Sequence, residues 1–228
     1  MKLRARWFGL SPDDIAIRAL ADQMQQRQYG RRRAVGFQVE EVRKKYIRGT
    51  FIERIEWDDT IEDPARGAFE MHRVEVRRFG FRVSSEVPHI EVIDPPRALG
   101  VFVSNISECL GCDVRLSELA VSPADWVRQI EAESGKVIVN AITTRGVPIS
   151  ATAMATIALS GTEDVRKFLK RFTDGARAPA ERMSISYPAP SKWRVELLVG
   201  GRATVFDGDS ETVQALRECL ARAQSATG

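Results

Sequence analysis

A segment similar to the N-terminal segment of this chain occurs about 111 residues further along, and this similarity constrains the fold more than any other feature of the sequence. Residues 2–14 and 113–125 are identical at four aligned positions, which pair Arg4 with Arg115, Ser11 with Ser122, Pro12 with Pro123 and Asp14 with Asp125. Later segments match at similar offsets: 81–83 with 193–195, 92–94 with 205–207, and 108–110 with 218–220. Because the chain has 228 residues, the pattern predicts a tandem duplication with copies at residues 1–112 and 113–228.

The repeated segments also suggest an order of secondary structure. Ser11 and Ser122 each follow a strand-like run and precede a proline, so each is expected to cap the N-terminus of a helix. Gly200 and Gly201 separate two alternating runs, which is typical of a two-residue hairpin turn. Each half is therefore predicted to run strand, helix, several antiparallel strands, helix. The expected fold class is α+β, with helices packed on a curved, saddle-like antiparallel sheet of pseudo-two-fold symmetry.

This order of elements resembles the repeated half of the TATA-box-binding saddle fold. The resemblance covers most of the chain and rests on the order of the elements. It implies a concave sheet that lies on nucleic acid, as that fold does on the DNA minor groove.

Positive charge is concentrated near the N-terminus, although the whole chain carries a net charge of only +3. Residues 1–57 contain 13 Lys and Arg against 7 Asp and Glu, whereas residues 58–112 contain 6 against 10. Clustered arginines bind phosphates, so the N-terminal cluster predicts a non-enzymatic nucleic-acid-binding module that contacts the backbone more than the bases. We call this cluster the basic segment, and its members are Arg27, Arg31, Arg32, Arg33, Arg43, Lys44, Lys45 and Arg48.

Alternatives to nucleic-acid binding stay open. The basic segment also fits a solvated surface whose arginines pair with Glu40, Glu41 and an acidic loop at residues 56–63. The chain would then be an assembly subunit of a multi-component complex, bound to a protein partner or to a second copy of itself. The acidic loop also suits a divalent cation, which makes a metal-dependent enzyme the weakest alternative.

Residue types that carry catalysis are sparse in this sequence. Cys109 and Cys112 have the spacing of a metal or redox pair, but only three further residues remain to complete a zinc site, namely Cys219, His72 and His89. Cys109 and Cys219 occupy matching apolar helix positions and are expected to be buried thiols. Thr162 is expected to cap a helix. No cofactor and no metal site are predicted, and an enzyme is the less favoured class.

The sequence shows no signal of export or membrane insertion. Residues 1–24 carry charges throughout, and the longest uncharged run, residues 146–162, contains Pro148. That run is too short and too polar to cross a bilayer. The three cysteines are an odd number and argue against a disulfide framework. We therefore expect a cytoplasmic protein with no membrane partner.

Overall fold

The computed structural model describes residues 2–65, 67–150, 152–173, 179–187, 193–206 and 208–226. Runs of strands separated by single helices follow one another along these residues, as expected for an α+β protein. The elements are β1 (Lys2–Ser11), α1 (Ile17–Gln26), β2 (Val35–Val42), β3 (Tyr46–Asp63), β4 (Gly67–Ser84), β5 (Ile90–Ile93), α2 (Gly100–Leu110), β6 (Arg115–Glu118), α3 (Pro123–Ser134), β7 (Ile138–Ser150), β8 (Ala153–Ser160), α4 (Arg166–Thr173), β9 (Ala180–Ser186), β10 (Arg194–Leu198), β11 (Arg202–Phe206) and α5 (Ser210–Ser225).

The chain divides into two compact units that do not follow its two halves. Unit 1 comprises residues 1–10, 87–94 and 116–228, and unit 2 comprises residues 11–86 and 95–115. The first strand therefore belongs to the same unit as most of the C-terminal half. The predicted copies at 1–112 and 113–228 concern sequence similarity rather than compactness, and they stay a prediction.

Unit 1 is built on a sheet with the strand order β5-β1-β11-β10-β9-β7-β8, in which β6 pairs with β1. Apolar side chains on one face of this sheet form a core with α3 and α5. Trp126 of α3 meets Trp7 of β1 edge to face at 5.4 Å, and its Nε1 donates to the Leu216 carbonyl at 2.9 Å. Burying side chains of this size stabilises the fold by roughly 1.5–3 kcal/mol each. The side chains on the opposite face of this sheet do not belong to the core.

Unit 2 is built on the antiparallel strands β2, β3 and β4. Its core is a cluster of phenylalanine rings whose contacting centroids lie 5.2–6.4 Å apart, mostly edge to face. The rings belong to Phe37, Phe51, Phe79, Phe81 and Phe102. The paired strands β3 and β4 continue far beyond this cluster, from the pair Tyr46–Ser84 to the pair Asp63–Gly67.

The acidic residues at 56–63 do not form the loop that the sequence predicts. β3 continues through them to Asp63, and β4 begins at Gly67. Charge partners across the ladder support the strands, because Asp58 Oδ1 lies 2.9 Å from His72 Nδ1 and Asp59 Oδ2 lies 3.0 Å from Arg73 Nη2. We call residues 53–77 the arm.

The two serine–proline junctions differ in structure. Ser122 caps α3 as predicted, since its Oγ accepts a hydrogen bond from the Asp125 backbone N–H at 3.1 Å. Ser11 ends β1, and α1 begins only at Ile17. The predicted cap at Ser11 is wrong, because the residue that precedes the first turn of α1 is Ala16 and a connection containing the buried Ile15 separates it from Ser11.

Other local predictions have mixed outcomes. The hairpin turn is confirmed, since Gly200 and Gly201 have φ values of 76° and 69° between β10 and β11. Thr162 is not a cap, because α4 begins at Arg166. Asp207, the predicted counterpart of Asp94, lies outside the described residues. The helices among the described residues are too short or too polar to span a membrane.

Candidate nucleic-acid interface

The unit 1 sheet presents a basic face on the side opposite its core. Successive side chains of a strand point to opposite faces, so the alternation that buries Trp7, Val195 and Val205 turns their neighbours outward. On that side of β1, Phe8 and Leu10 are buried as well. The residues of β9, β10, β11 and the start of β1 that share this side are exposed or half-buried, and they include six basic residues and one acidic residue. We call this surface the open face, and its members are Lys2, Arg4, Arg6, Arg182, Arg194, Glu196, Leu198, Arg202, Thr204 and Phe206.

Strand register arranges the open face in three rows that cross the sheet. The first row contains Lys2, Phe206 and Arg194. The middle row contains Arg4, Thr204 and Glu196. The third row contains Arg6, Arg202, Leu198 and Arg182. At about 3.4 Å per residue, the first and third rows lie about 14 Å apart along the strands. Two rows rich in cations therefore flank a row of hydrogen-bonding groups.

Among the residues that the structure describes, most cations of the open face have no carboxylate within ion-pair distance. Arg182 Nε lies 2.8 Å from Glu196, and Arg4 Nε lies 3.9 Å from Asp94. The remaining four make no ion pair with any residue that the structure describes, and these are Lys2, Arg6, Arg194 and Arg202. Cationic side chains without a carboxylate partner can pair with phosphate oxygens.

Arg6 and Arg202 place two positive charges opposite each other in neighbouring strands. Partial burial lowers the pKa of the Arg6 guanidinium, the charge of Arg202 lowers it further, and the charge of Glu118 raises it. The Arg6 Nε is buried without a hydrogen-bond partner among the described residues. Like charges in directly opposed positions destabilise a sheet, so an anion bound between them would offset their repulsion.

Phe206 is the aromatic centre of the first row. The Lys2 Nζ lies 5.5 Å from its ring centroid, and the Arg194 Cζ lies 4.4 Å from it. Both cations are close enough for cation–π attraction. A half-buried ring on a basic sheet is also a surface on which an unstacked base can stack.

The structure separates the basic segment into two clusters at opposite ends of β2. Arg31, Arg32 and Arg33 precede the first residue of β2, and Arg43, Lys44 and Lys45 follow its last residue. The eight residues of β2 place these clusters about 27 Å apart at about 3.4 Å per residue. Arg27 lies with the first cluster, and Arg48 lies on β3 opposite Glu41. The basic segment is therefore not one continuous patch.

Carboxylates neutralise most of the basic segment. Glu108 lies 2.5 Å from Arg27 and 4.0 Å from Arg33. Glu41 lies 2.8 Å from Arg43 and 3.4 Å from Arg48, and Glu86 lies 2.6 Å from Lys45. A hydrogen bond from Arg43 lowers the pKa of Glu41 below its ordinary value, so this carboxylate stays charged. Three members are exposed without an ion pair to another described residue, and these are Arg31, Arg32 and Lys44.

The residues considered for catalysis or metal binding are dispersed. Within the described ranges, no group of three or more His, Cys, Asp or Glu side chains is arranged to hold a metal ion. His89 Nδ1 accepts a hydrogen bond from the Leu10 backbone N–H at 3.0 Å. Cys109 and Cys219 are buried free thiols, as predicted, while Cys112 is exposed. Burial raises the pKa of Cys219 to about 11, which keeps it protonated and unreactive at neutral pH.

The sequence alone does not show that the residues of the open face share one surface, because they are far apart along the chain. One signal was present, since basic residues recur with a period of two at Lys2, Arg4 and Arg6 in a predicted strand. Arg194 and Arg202 begin the two strands of the predicted hairpin in the same manner. Only the strand order shows that these positions are neighbours.

No protein-family model matches this chain, and no curated protein matches it. The charge and geometry of the surface therefore carry the functional argument.

Proposed function

We propose that this protein binds single-stranded nucleic acid on the open face. The observation that carries the proposal is a group of four cations without a carboxylate partner among the described residues. Lys2 and Arg194 flank Phe206 in the first row, and Arg6 and Arg202 lie opposite each other in the third row. Phosphates are the anions that such arginines bind best, because the planar guanidinium donates two parallel hydrogen bonds.

The proposed mode of binding follows the rows of the sheet. The phosphodiester backbone runs along the cations, and one base stacks on Phe206. Thr204 and Ser184 offer hydroxyls in the middle of the face. Unstacked bases are accessible in single strands but not inside a duplex, so an aromatic ring on the surface of a sheet favours single strands. A single stacking position gives weak preference among bases.

The basic segment has an accessory role in this proposal. Arg31, Arg32 and Lys44 add long-range attraction for a polyanion without forming the binding surface. The tandem duplication and the saddle shape are retained as hypotheses about the origin and curvature of the sheet. Superposition of residues 1–112 on 113–228 tests them, and different strand orders in the two copies would refute the duplication.

The test is a salt titration of binding to a labelled oligonucleotide, single-stranded and duplex, with wild type beside the Arg194→Ala/Arg202→Ala variant. For single strands, the slope of log affinity against log salt is about −0.7 per phosphate contact, so the double variant is expected to flatten the slope by about 1.4. Its affinity should fall for every sequence alike, since phosphate contacts carry no base information.

The matched control is Arg31→Ala/Arg32→Ala, which removes the same charge from an exposed turn. This control is expected to bind with nearly the wild-type slope. Equal losses in both variants would show that net charge rather than the open face governs binding. Absence of wild-type binding at about 0.05 M salt, where electrostatic attraction is little screened, would end the proposal.

A further inference from the structure

The arm of unit 2 is a two-stranded ribbon with both faces in solvent. β3 and β4 pair continuously from Glu53–Arg77 to Asp63–Gly67, which extends about 35 Å at about 3.4 Å per residue. No described residue of the arm is buried, in contrast to Phe51 and Phe79 at its base. Ribbons of this length gain little from their own packing, so the arm is suited to contact another molecule.

One face of the arm carries large apolar side chains among charged ones. Because the side chains alternate, the positions that continue the buried Phe51–Phe79 pair outward all lie on this face. Trp57 and Phe69 are 41% and 43% exposed, and Met71 is 39% exposed. We call it the Trp57 face, and its large apolar residues are Ile55, Trp57, Ile61, Phe69 and Met71. Large apolar side chains that stay exposed close to one another on such a ribbon favour a docking site.

The charge of the arm selects the partner. Residues 53–77 contain eight Asp and Glu against four Lys and Arg. The cations on the Trp57 face are already paired, since Arg73 lies 3.0 Å from Asp59 and Arg77 lies 2.8 Å from Glu75. Nucleic acid and anionic lipid are therefore repelled, and a basic surface with apolar centres is attracted.

The open face has this complementary chemistry. It carries six basic residues against one acidic residue, and Phe206 and Leu198 lie among them. We propose that the Trp57 face of one copy docks on the open face of a second copy. The exposed indole of Trp57 then meets arginine side chains, which stack well on aromatic rings.

Such a contact is head to tail, because the arm and the open face are different surfaces. Each copy offers one of each, so association continues into rings or chains. The docking stands without nucleic-acid binding. A consequence that rests on the proposed function is that the arm and nucleic acid compete for the open face, so that free nucleic acid disperses the assemblies.

The test is sedimentation velocity over a range of protein concentrations in about 0.05 M and about 0.5 M salt, since screening weakens such a contact. Wild type is expected to form species larger than dimers at low salt and to dissociate at high salt. Two variants each lose one surface: Trp57→Ala/Phe69→Ala lacks the arm contact, and Arg194→Ala/Arg202→Ala lacks the open-face contact. Each variant alone is expected to be monomeric.

Mixing the two variants gives the decisive result. The intact open face of the first can receive the intact arm of the second, so the mixture should form a 1:1 dimer and nothing larger. The control Val74→Ala/Val76→Ala removes apolar groups from the other face of the arm and should associate as wild type does. Circular dichroism confirms that each variant is folded.

The outcomes separate this inference from the proposed function. A wild type that stays monomeric at every concentration, or a mixture without a dimer, overturns the docking. Oligonucleotide binding is measured in parallel, and Trp57→Ala/Phe69→Ala should retain it. Retained oligonucleotide binding in a protein that never associates would leave the proposed function intact and remove only the docking.

Discussion

The open face and the basic segment are both rich in arginine, yet their cations differ in availability. In the basic segment, five of eight cations lie within 4.0 Å of a carboxylate. In the open face, two of six do, when the carboxylates of the described residues are counted. The basic segment is compact in sequence and divided in space, whereas the open face is dispersed in sequence and continuous in space.

A run of positive charge in a sequence is therefore weak evidence for the position of an anion-binding site. Glu41 lies within the run and pairs with Arg43 and Arg48. Exposed ion pairs of this kind contribute only about 0–1 kcal/mol to stability, but they occupy the donors that a phosphate would use. Whether a cation can bind a phosphate therefore depends on which side chains the fold places beside it.

The largest expected effect concerns the aromatic residues of the two surfaces. Phe206→Ala should weaken single-strand binding by about 1–3 kcal/mol, because it removes the stacking partner of one base. Tyr29→Ala, which removes an aromatic side chain near the basic segment, should leave affinity unchanged. Fluorescence anisotropy with a labelled single strand measures both. A greater loss in the Tyr29 variant would reverse the comparison.

A second variant tests whether carboxylates prevent the basic segment from binding phosphates. Glu41→Gln/Glu108→Gln frees four arginines, which are Arg27, Arg33, Arg43 and Arg48. Affinity at low salt should rise by about 1 kcal/mol, and the salt slope should steepen by about one or two contacts' worth. Glu211→Gln/Glu218→Gln in α5 removes the same charge from unit 1 and serves as the control. An equal gain in the control would attribute the effect to net charge.

A third variant tests the opposed pair Arg6 and Arg202 without any ligand. Arg202→Ala should leave the free energy of unfolding unchanged or raise it by about 0.2–1 kcal/mol, because a like charge directly across the ladder is removed. Urea unfolding in about 0.05 M and about 0.5 M salt measures it, and the gain should shrink as salt screens the repulsion. A clear loss of stability would mean that the pair is compensated by other groups.

The smallest effect is expected for the turn before β2. Arg31→Ala/Arg32→Ala/Arg33→Ala should reduce affinity by less than about 0.5 kcal/mol and should barely change stability, since exposed charges contribute little. The titration that measures the Phe206 variant also measures this one. A slope flattened by three contacts' worth would restore the basic segment as the main interface.

Local features of the sequence predicted the elements that depend on local physics. Ser122 and Pro123 supply a cap and a first helical residue, and the structure has α3 where they predict it. The paired glycines at 200 and 201 tolerate positive φ, and the hairpin forms there. Cys109 and Cys219 lie on apolar helix faces and are buried. In each case, residues within one or two turns of the chain determine the outcome.

Ser11 and Pro12 are identical to Ser122 and Pro123, and they show that a local sequence alone does not determine a helix cap. Ser11 is the last residue of β1, a connection with the buried Ile15 follows it, and α1 begins only at Ile17, so the same dipeptide does not cap a helix there. The acidic residues at 56–63 behave similarly, because their partners Arg73 and His72 become neighbours only when β4 pairs with β3. At residues 56–63, pairing with a distant strand thus outweighs the local preference for a loop.

The alternation of residues, the amphipathic character of the helices and the accumulation of charge can be read from the sequence, because these properties depend on neighbours in the chain. The placement of Lys2 opposite Phe206 and of Arg6 opposite Arg202 depends instead on how the strands pair in the folded protein. Pairing across about 200 residues depends on the burial of Trp7, Val205 and their core partners on the other side of the sheet. The core on one face thus aligned the charges on the opposite face.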